Sequence, residues 1–299
     1  MALAWPSLPF DAWRPTKDTL HRFTQIIGKI QLALTPVVSH FWNVTLRPTA
    51  RGLATSALRY DGRTFDIELD FVEHRTIVRS SDGGRDAREL RPIAVADYYQ
   101  ELMQMLDALG LRVHIWDHPV EIPTETIPFA EDRMHAAYDR DYAARFFQVL
   151  SNAAEVLEKF RARFIGTCSG VGFYWGTFDL AVARYSGRRA PLPPAAGTIE
   201  REAYSHEVSE VGFWPGDVRH AAPAFYALHY PAPPGFARAT VRPELARWDE
   251  PSACFVLPYE ACAGPDATAN ILEFCQSTYE AGASLAGWNR SELERARTT

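Results

Sequence analysis

Apolar positions along the chain set the first expectations. From about Thr16 to Leu34 they recur at helical spacing. Leu20, Phe23, Ile27, Ile30 and Leu34 share one stripe, Thr16 and Asp18 stand where caps belong, and an amphipathic helix facing a core is predicted. The period then shortens to two in "HFWNVTLRP", "GLATSALRY" and "RTFDIELDFVEHRTIVRS", which predicts three antiparallel strands with Asp61-Gly62 as the hairpin turn between the last two. "VADYYQELMQMLDALG" returns to helical spacing and closes on Gly110. "RVHIW" predicts a short strand, and a proline-marked connection runs from Pro119 to Pro128. The order then repeats: a helix from about Asp141 to Phe164, a strand pair in "GVGFYWGTFDLAVARY", and a loop in "APLPPAAG". More strands follow in "AYSHEVSEVGFW", "AFYALHY" and "CFVLPY", before a last helix in "ATANILEFCQSTYEAGASL".

These periodicities predict an α+β fold with antiparallel sheets and flanking helices. "HFWNVTL" and "GFYWGTF" fall in the same slot of the two halves, so an internal duplication is expected, with halves at about 16–128 and 129–288 inside one unit, 1–299. Such a junction commonly holds a ligand cleft, which Phe41-Trp42 and Phe173-Tyr174-Trp175 would line.

Composition narrows the partners. The 299 residues carry a net charge of −6 and no Lys/Arg-rich block, which excludes the electrostatic footprint of a nucleic-acid binder. The longest apolar stretches are too short to span a bilayer, so no membrane partner is expected. The N-terminus lacks the pattern of a signal peptide, and four cysteines without C-x-x-C spacing read as reduced thiols; a cytoplasmic location follows as the expectation. Eight tryptophans and 12% aromatic residues favour a concave small-molecule site, and a homo-oligomer stays open.

Candidate chemistry centres on histidines. In "YSHEVSEVGFWPG", strand alternation puts Tyr204, His206 and Val208 on one face and Ser205, Glu207 and Ser209 on the other, so His206 with Tyr204 is the acid–base candidate and Glu207 points away. On the first helix His21, Gln25 and Lys29 form a polar stripe, a solvated face or, if the second half covers it, a pocket wall; Gly28 would let another group approach closely. Asp66, Glu68, Asp70 and His74 share a strand face, with Asp70 and His74 the pair for a metal if one is bound. His40 precedes an aromatic segment, and Asp132, His135 and Asp139 align if helical. Arg51 and Arg184 are candidate anion clamps. Phosphate-cradle, dinucleotide and nucleophile-elbow motifs are absent, and no cofactor is implied.

Taken together, "TLHRFTQIIGKIQLAL", "SHFWNVTLRPTARGLATS", "FDIELDFVEH", "VGFYWGTFDLAVARYSGRRAP", "YSHEVSEVGFWPG" and "FVLPY" resemble an uncharacterised bacterial family whose domain has no known function. The resemblance runs nearly the whole length and implies one full-length unit, but carries no activity or site residues with it. Where an Asn-His-Trp-Trp-like segment is expected, this chain has "SHFW", keeping Trp42 but not its neighbour.

The expectation is a soluble enzyme acting on a small molecule in an aromatic-lined cleft by histidine acid–base chemistry. His206, His21, His40, Lys29 and Tyr204 are its catalytic candidates, and Gln25, Trp42, Arg51, Trp175, Arg184 and Trp214 its binding residues. A non-catalytic binding or interaction protein and a non-haem metal enzyme are the alternatives. Convergence of at least three of His21, His40, His74, His135 and His206 on one pocket would favour the enzyme or metal readings.

Overall fold

The structure is a computed structural model that describes residues 5–122, 127–192, 196–217, 220–262 and 264–295. It opens with helix α1 (Phe10–Leu34), which begins six residues before the predicted start because its first turns are packed: Trp13 is fully buried and stacks on Phe146 at 5.0 Å. Six strands then form the first antiparallel sheet: β1 (Arg47–Pro48), β2 (Gly52–Ala54), β3 (Leu58–Tyr60), β4 (Arg63–Asp70), β5 (Arg75–Ser80) and β6 (Arg85–Glu89). Their order is β1-β2-β4-β5-β6, with β3 also pairing with β4. Asp61-Gly62 is the predicted tight turn: Tyr60 pairs with Arg63, and both turn residues have positive φ, 45° and 75°. Helix α2 (Val95–Ala108) follows, and then α3 (Arg140–Arg161), capped by Asp139, whose carboxylate accepts from the Tyr142 backbone N–H at 3.1 Å.

The second sheet comprises β7 (Gly172–Tyr174), β8 (Asp179–Arg189), β9 (His206–Trp214), β10 (Ala224–Tyr230), β11 (Arg247–Asp249) and β12 (Cys254–Pro258) in the order β11-β12-β10-β9-β8-β7. A short helix α4 (Thr198–Ala203) precedes β9, and α5 (Ala267–Leu285) and α6 (Arg290–Leu293) end the described chain. The fold is α+β with two antiparallel sheets, as the periodicities predict. The two sheets differ in strand order, however, so the duplication is not carried by the topology. The aromatic segments that suggested it meet each other instead: Leu46 and Phe173 form an antiparallel bridge that ties the sheets together.

Three local expectations need correction. "HFWNVTLRP" is mostly not a strand, because His40 and Phe41 both take positive φ and turn the chain, leaving only the Leu46 bridge and Arg47–Pro48 paired. "RVHIW" pairs in no ladder among the described residues, although Val113 and the preceding Leu111 are buried. Residues 131–139 are not helical, so Asp132, His135 and Asp139 do not align. Instead Asp132 is buried and pairs with Arg22 and His135, while Asp139 caps α3. The connection after Pro119 and the loop "APLPPAAG" lie partly outside the described residues.

Burial on both faces of the second sheet creates the site. Period-two alternation sends Leu180, Val182, Val211, Phe213, Phe225, Ala227, Phe255 and Leu257 into the main core, which also contains residues of α3 and α5. The opposite positions, Ala181, Ala183, Tyr185, Val208, Tyr226, Cys254 and Val256, form two smaller clusters. A 3-10 turn at Ser39–Phe41 and helix α4 cover part of that second face. Helix α1 is buried all round from Leu20 to Gln31, so its polar stripe is covered, by Gly176 of the second half and Val120 of the first, and not solvated. No helix among the described residues is long and apolar enough to cross a membrane.

Candidate functional site

The second face of the sheet encloses a cavity of about 370 Å3. Tyr174, Trp175, Tyr185, Trp214 and Tyr226 supply aromatic surface from the sheet side, and Phe41 and Tyr204 close it from the covering segments. At its base sit two carboxylates, Asp179 from the start of β8 and Glu210 from the middle of β9, with the Tyr226 hydroxyl of β10 between them. Tyr226 Oη lies 2.6 Å from Asp179 Oδ2 and 2.8 Å from Glu210 Oε1.

Register explains how three strands reach one point. Ala183 and Leu228 flank Glu210, while Ala181 and Tyr226 flank Gly212, the next position of β9 on the same face. Gly212 has no side chain, and the Tyr226 ring fills the space: a Cβ built there would stand 2.6 Å from the Tyr226 ring and from the Leu180 carbonyl oxygen. Trp214 stacks on the same ring, with centroids 4.5 Å apart. Tyr226 is thereby fixed with its hydroxyl directed at the carboxylates.

The hydrogen count then assigns the protons. A phenol carries one hydrogen, so Tyr226 can donate fully to only one of its two carboxyl neighbours at a time. Asp179 also accepts from the Thr177 hydroxyl, which makes it the acceptor of the pair. Burial, reinforced by the negative charge of Asp179, pushes the Glu210 carboxyl up from 4.5 to about 7, so it holds its proton far more readily than an exposed glutamate. Burial also holds Tyr226, Tyr174, Tyr185 and Tyr204 above the usual phenol range, so these hydroxyls stay protonated. The Tyr226 hydroxyl therefore links Glu210 and Asp179 in one hydrogen-bonded chain.

His40 joins from the covering turn. Its Nδ1 donates to the Ala203 carbonyl at 3.1 Å, its ring stacks on Tyr185 at 4.0 Å, and burial holds its pKa below the usual histidine value. The ring is neutral and keeps Nε2 as an acceptor. The backbone N–H of His40 donates to Glu202 of α4, so turn and helix are joined twice.

Of the residues singled out in the sequence, His40, Tyr204, Trp175 and Trp214 line the cavity. His206 touches the edge of the His40 ring, centroids 5.5 Å apart, but is not among the lining residues; its Nδ1 bonds to the Ser205 hydroxyl. Glu207 points away as alternation requires and binds Arg188 at 2.7 Å. Trp42 stands behind Tyr185. His21 and Gln25 lie behind the wall: His21 Nε2 donates to the Gly176 carbonyl at 2.9 Å, and Gln25 clamps Val120 by donating to its carbonyl at 2.7 Å and accepting from its N–H at 2.9 Å. Gly176 and Val120 both line the cavity, so this pair positions wall residues without touching the interior. Desolvation and the Lys17 charge lower His21 to about 3, and it stays neutral. Lys29 lies over the Trp116 ring at 4.6 Å and is lowered to about 8 by burial.

The remaining candidates are elsewhere. Arg51 pairs with Asp70 and Glu73 in the first sheet. Asp70 accepts from Arg51 and from the backbone N–H groups of Val72 and Glu73, and His74 bonds to the Tyr138 hydroxyl at 2.8 Å, so that acidic face is occupied by hairpin and side-chain contacts. Among the described residues no group of three His, Cys, Asp or Glu is placed to hold a metal ion. Arg184 lies in the core on the opposite face of β8, fully buried, its guanidinium against Phe160 at 3.4 Å and Tyr279 at 4.4 Å. An anion clamp is thus corrected to a buried cation–aromatic contact. The cysteines are free, and burial pushes Cys254 to about 11 and Cys262 and Cys275 to about 12, far from nucleophilic thiolates.

Three histidines therefore do not converge on one pocket. Glu210 is legible as the next position after His206 and Val208 on one face of the strand. Asp179 and Tyr226 carried no local signal.

Compared with known proteins, the chain matches a family of unknown function, DUF5996, over residues 5–295, and it belongs to that family. No curated protein and no solved structure matches it.

Proposed function

We propose that this family member binds a small molecule in the aromatic cavity and performs proton-transfer chemistry on it, with Glu210 as general acid, Asp179 as base and Tyr226 as the relay between them. The observation that supports this reading is the Tyr226 hydroxyl within hydrogen-bond distance of two carboxyl groups at one cavity, an arrangement suited to one acid and one base. An acid poised near neutral pH is matched to general acid–base work, and a water-poor aromatic wall strengthens its electrostatics. The cavity lies in the size range of small-molecule sites, roughly 300–1,000 Å3. His40, with Nε2 open as an acceptor, is a positioning group or second base from the covering side.

A non-catalytic binding role is the second reading, favoured by the extent of the aromatic wall; the carboxylates would then only hold the ligand.

Infrared titration tests the acid–base assignment on the protein itself. A protonated carboxyl band that titrates near pH 7 and is missing in Glu210→Gln supports it, and the absence of any such band between pH 5 and 8 refutes it. A panel of small hydrolysis, elimination and isomerisation substrates separates the two readings. Turnover that falls above about pH 7 and is lost in both Glu210→Gln and Asp179→Asn identifies an enzyme, whereas cavity-dependent binding without turnover identifies a binding protein.

A further inference from the structure

We propose that the outer edge of β6 is a self-association surface. Two copies of this chain pair their β6 strands antiparallel about a twofold axis through Ala87, joining their first sheets into one. The surface lies in the first sheet and is independent of the cavity chemistry.

The strand is open on one side. β6 ends the first sheet, and among the described residues nothing pairs with its outer edge. Which backbone groups it offers follows from the ladder with β5. The Ser80 N–H donates to the Gly84 carbonyl at 2.8 Å, and the Leu90 N–H donates to the His74 carbonyl at 2.7 Å. Arg79–Arg85 and Arg75–Glu89 are therefore non-hydrogen-bonded pairs of that ladder, and by alternation so is Ile77–Ala87. The N–H and C=O groups of Arg85, Ala87 and Glu89 consequently point away from β5. Two of these groups are met by side chains that stand in for a strand: the Ala87 N–H donates to the Asp86 carboxylate at 2.7 Å, and the Glu89 carbonyl accepts from Arg91 at 3.3 Å. The strand is exposed or half-buried at every position.

Side-chain order selects the partner. β6 reads Arg85-Asp86-Ala87-Arg88-Glu89, and its charges invert when it is read backwards. In antiparallel self-pairing centred on Ala87, Arg85 faces Glu89 of the second copy, Asp86 faces Arg88, and Ala87 faces its own counterpart. The same register sets the outward backbone groups of Arg85, Ala87 and Glu89 opposite those of Glu89, Ala87 and Arg85, so backbone and side chains agree. A slip by two residues puts Asp86 against Asp86 or Arg88 against Arg88, and a slip by one loses the backbone phase. Charges on an edge strand ordinarily keep other strands away. Here their order admits one partner in one register. The ties these side chains make within one chain, Arg88 to Asp86 at 2.7 Å and Arg140 to Glu89, are solvent-accessible and can be shared across the axis. A five-residue edge is short, so the contact belongs to the weak, reversible class.

Sedimentation equilibrium of the full-length chain from about 10 to about 500 μM tests this. The average mass is expected to rise from 33.6 kDa toward twice that value. Ala87→Pro removes the central outward N–H at a position the β5 ladder does not use, and should abolish the rise. Arg88→Asp sets two carboxylates against each other on both sides of the axis and should weaken association about tenfold or more. The double exchange Asp86→Arg with Arg88→Asp restores complementarity. It should self-associate like the parent, yet fail to co-sediment with fluorescently labelled parent, because like charges face each other in the mixed pair. Circular dichroism checks each variant's fold; if Ala87→Pro does not fold, the charge variants, which lie on an accessible strand, decide alone. A chain that stays monomeric throughout the range overturns the proposal. So does a dimer that neither Ala87→Pro nor Arg88→Asp weakens, or an exchanged chain that mixes freely with the parent.

Discussion

Replacing Glu210 by glutamine measures the electrostatic state of the floor directly. The folded carboxyl titrates near 7 and the unfolded one near 4.5. Between these values the unfolded chain has lost the proton and the folded chain still holds it. Stability therefore falls as pH rises through that window, by about 1.4 kcal/mol per pH unit, and is flat on either side. Over the whole interval the loss is roughly 3 kcal/mol, an upper figure because water entering the cavity screens the pair. Glutamine cannot ionise, yet its amide can donate to Tyr226 Oη much as the protonated carboxyl does. The variant should match the parent near pH 4.5 and exceed it by about 2–3 kcal/mol above pH 8, or by about 5 °C in thermal midpoint for a chain of this size. Urea unfolding of both proteins from pH 4.5 to 9 reads the difference, in which groups common to both cancel. A difference that stays constant across that range would show that Glu210 is not held protonated, and the acid–base assignment would go with it.

Two further outcomes follow from packing and burial. Gly28→Ala should gain about 1 kcal/mol from helix propensity if the site were open. The new Cβ would instead stand 2.3 Å from the Trp175 ring, whose Nε1 donates to the Val44 carbonyl at 2.8 Å, so overpacking of about 1–3 kcal/mol should win. Net destabilisation and a shifted tryptophan emission are expected, and a more stable protein would contradict the packing. His229 is buried, and neither ring nitrogen has a partner; burial lowers it from 6.5 to about 4. The unfolded ring takes a proton below 6.5 and the folded one does not until about 4, so this group lowers stability as pH falls through that window. His229→Leu should flatten the acid limb, with a larger gain at pH 4.5 than at pH 7 by denaturant titration; an equal gain at both would count against a buried neutral imidazole.

Much of the architecture was legible because it is written in local periods. The helical stripe of Leu20, Phe23, Ile27 and Ile30 does face the core, and Asp61-Gly62 does make the hairpin turn, since both depend on residues within a few positions of each other. "RVHIW" failed for the opposite reason: a strand needs a partner, and alternation cannot say whether one is present. Histidines stand out in a sequence because they titrate near neutrality unaided, whereas Glu210 reaches that range only through burial and the charge of Asp179.

The family and the α+β class belong to the sequence itself, because each is a property of residue order. Even the orientation of Glu207 away from His206 follows from a period of two. The floor of the cavity does not. Asp179 and Tyr226 are 47 residues apart and Tyr226 and Glu210 are 16 apart, and they meet only because three strands pair in one register, with Gly212 leaving room for the tyrosine ring. A single-residue slip of β9 would send Glu210 to the opposite face of its sheet. Local pattern determined which elements form; the hydrogen-bonded register and the burial it produces decided which carboxyl keeps its proton.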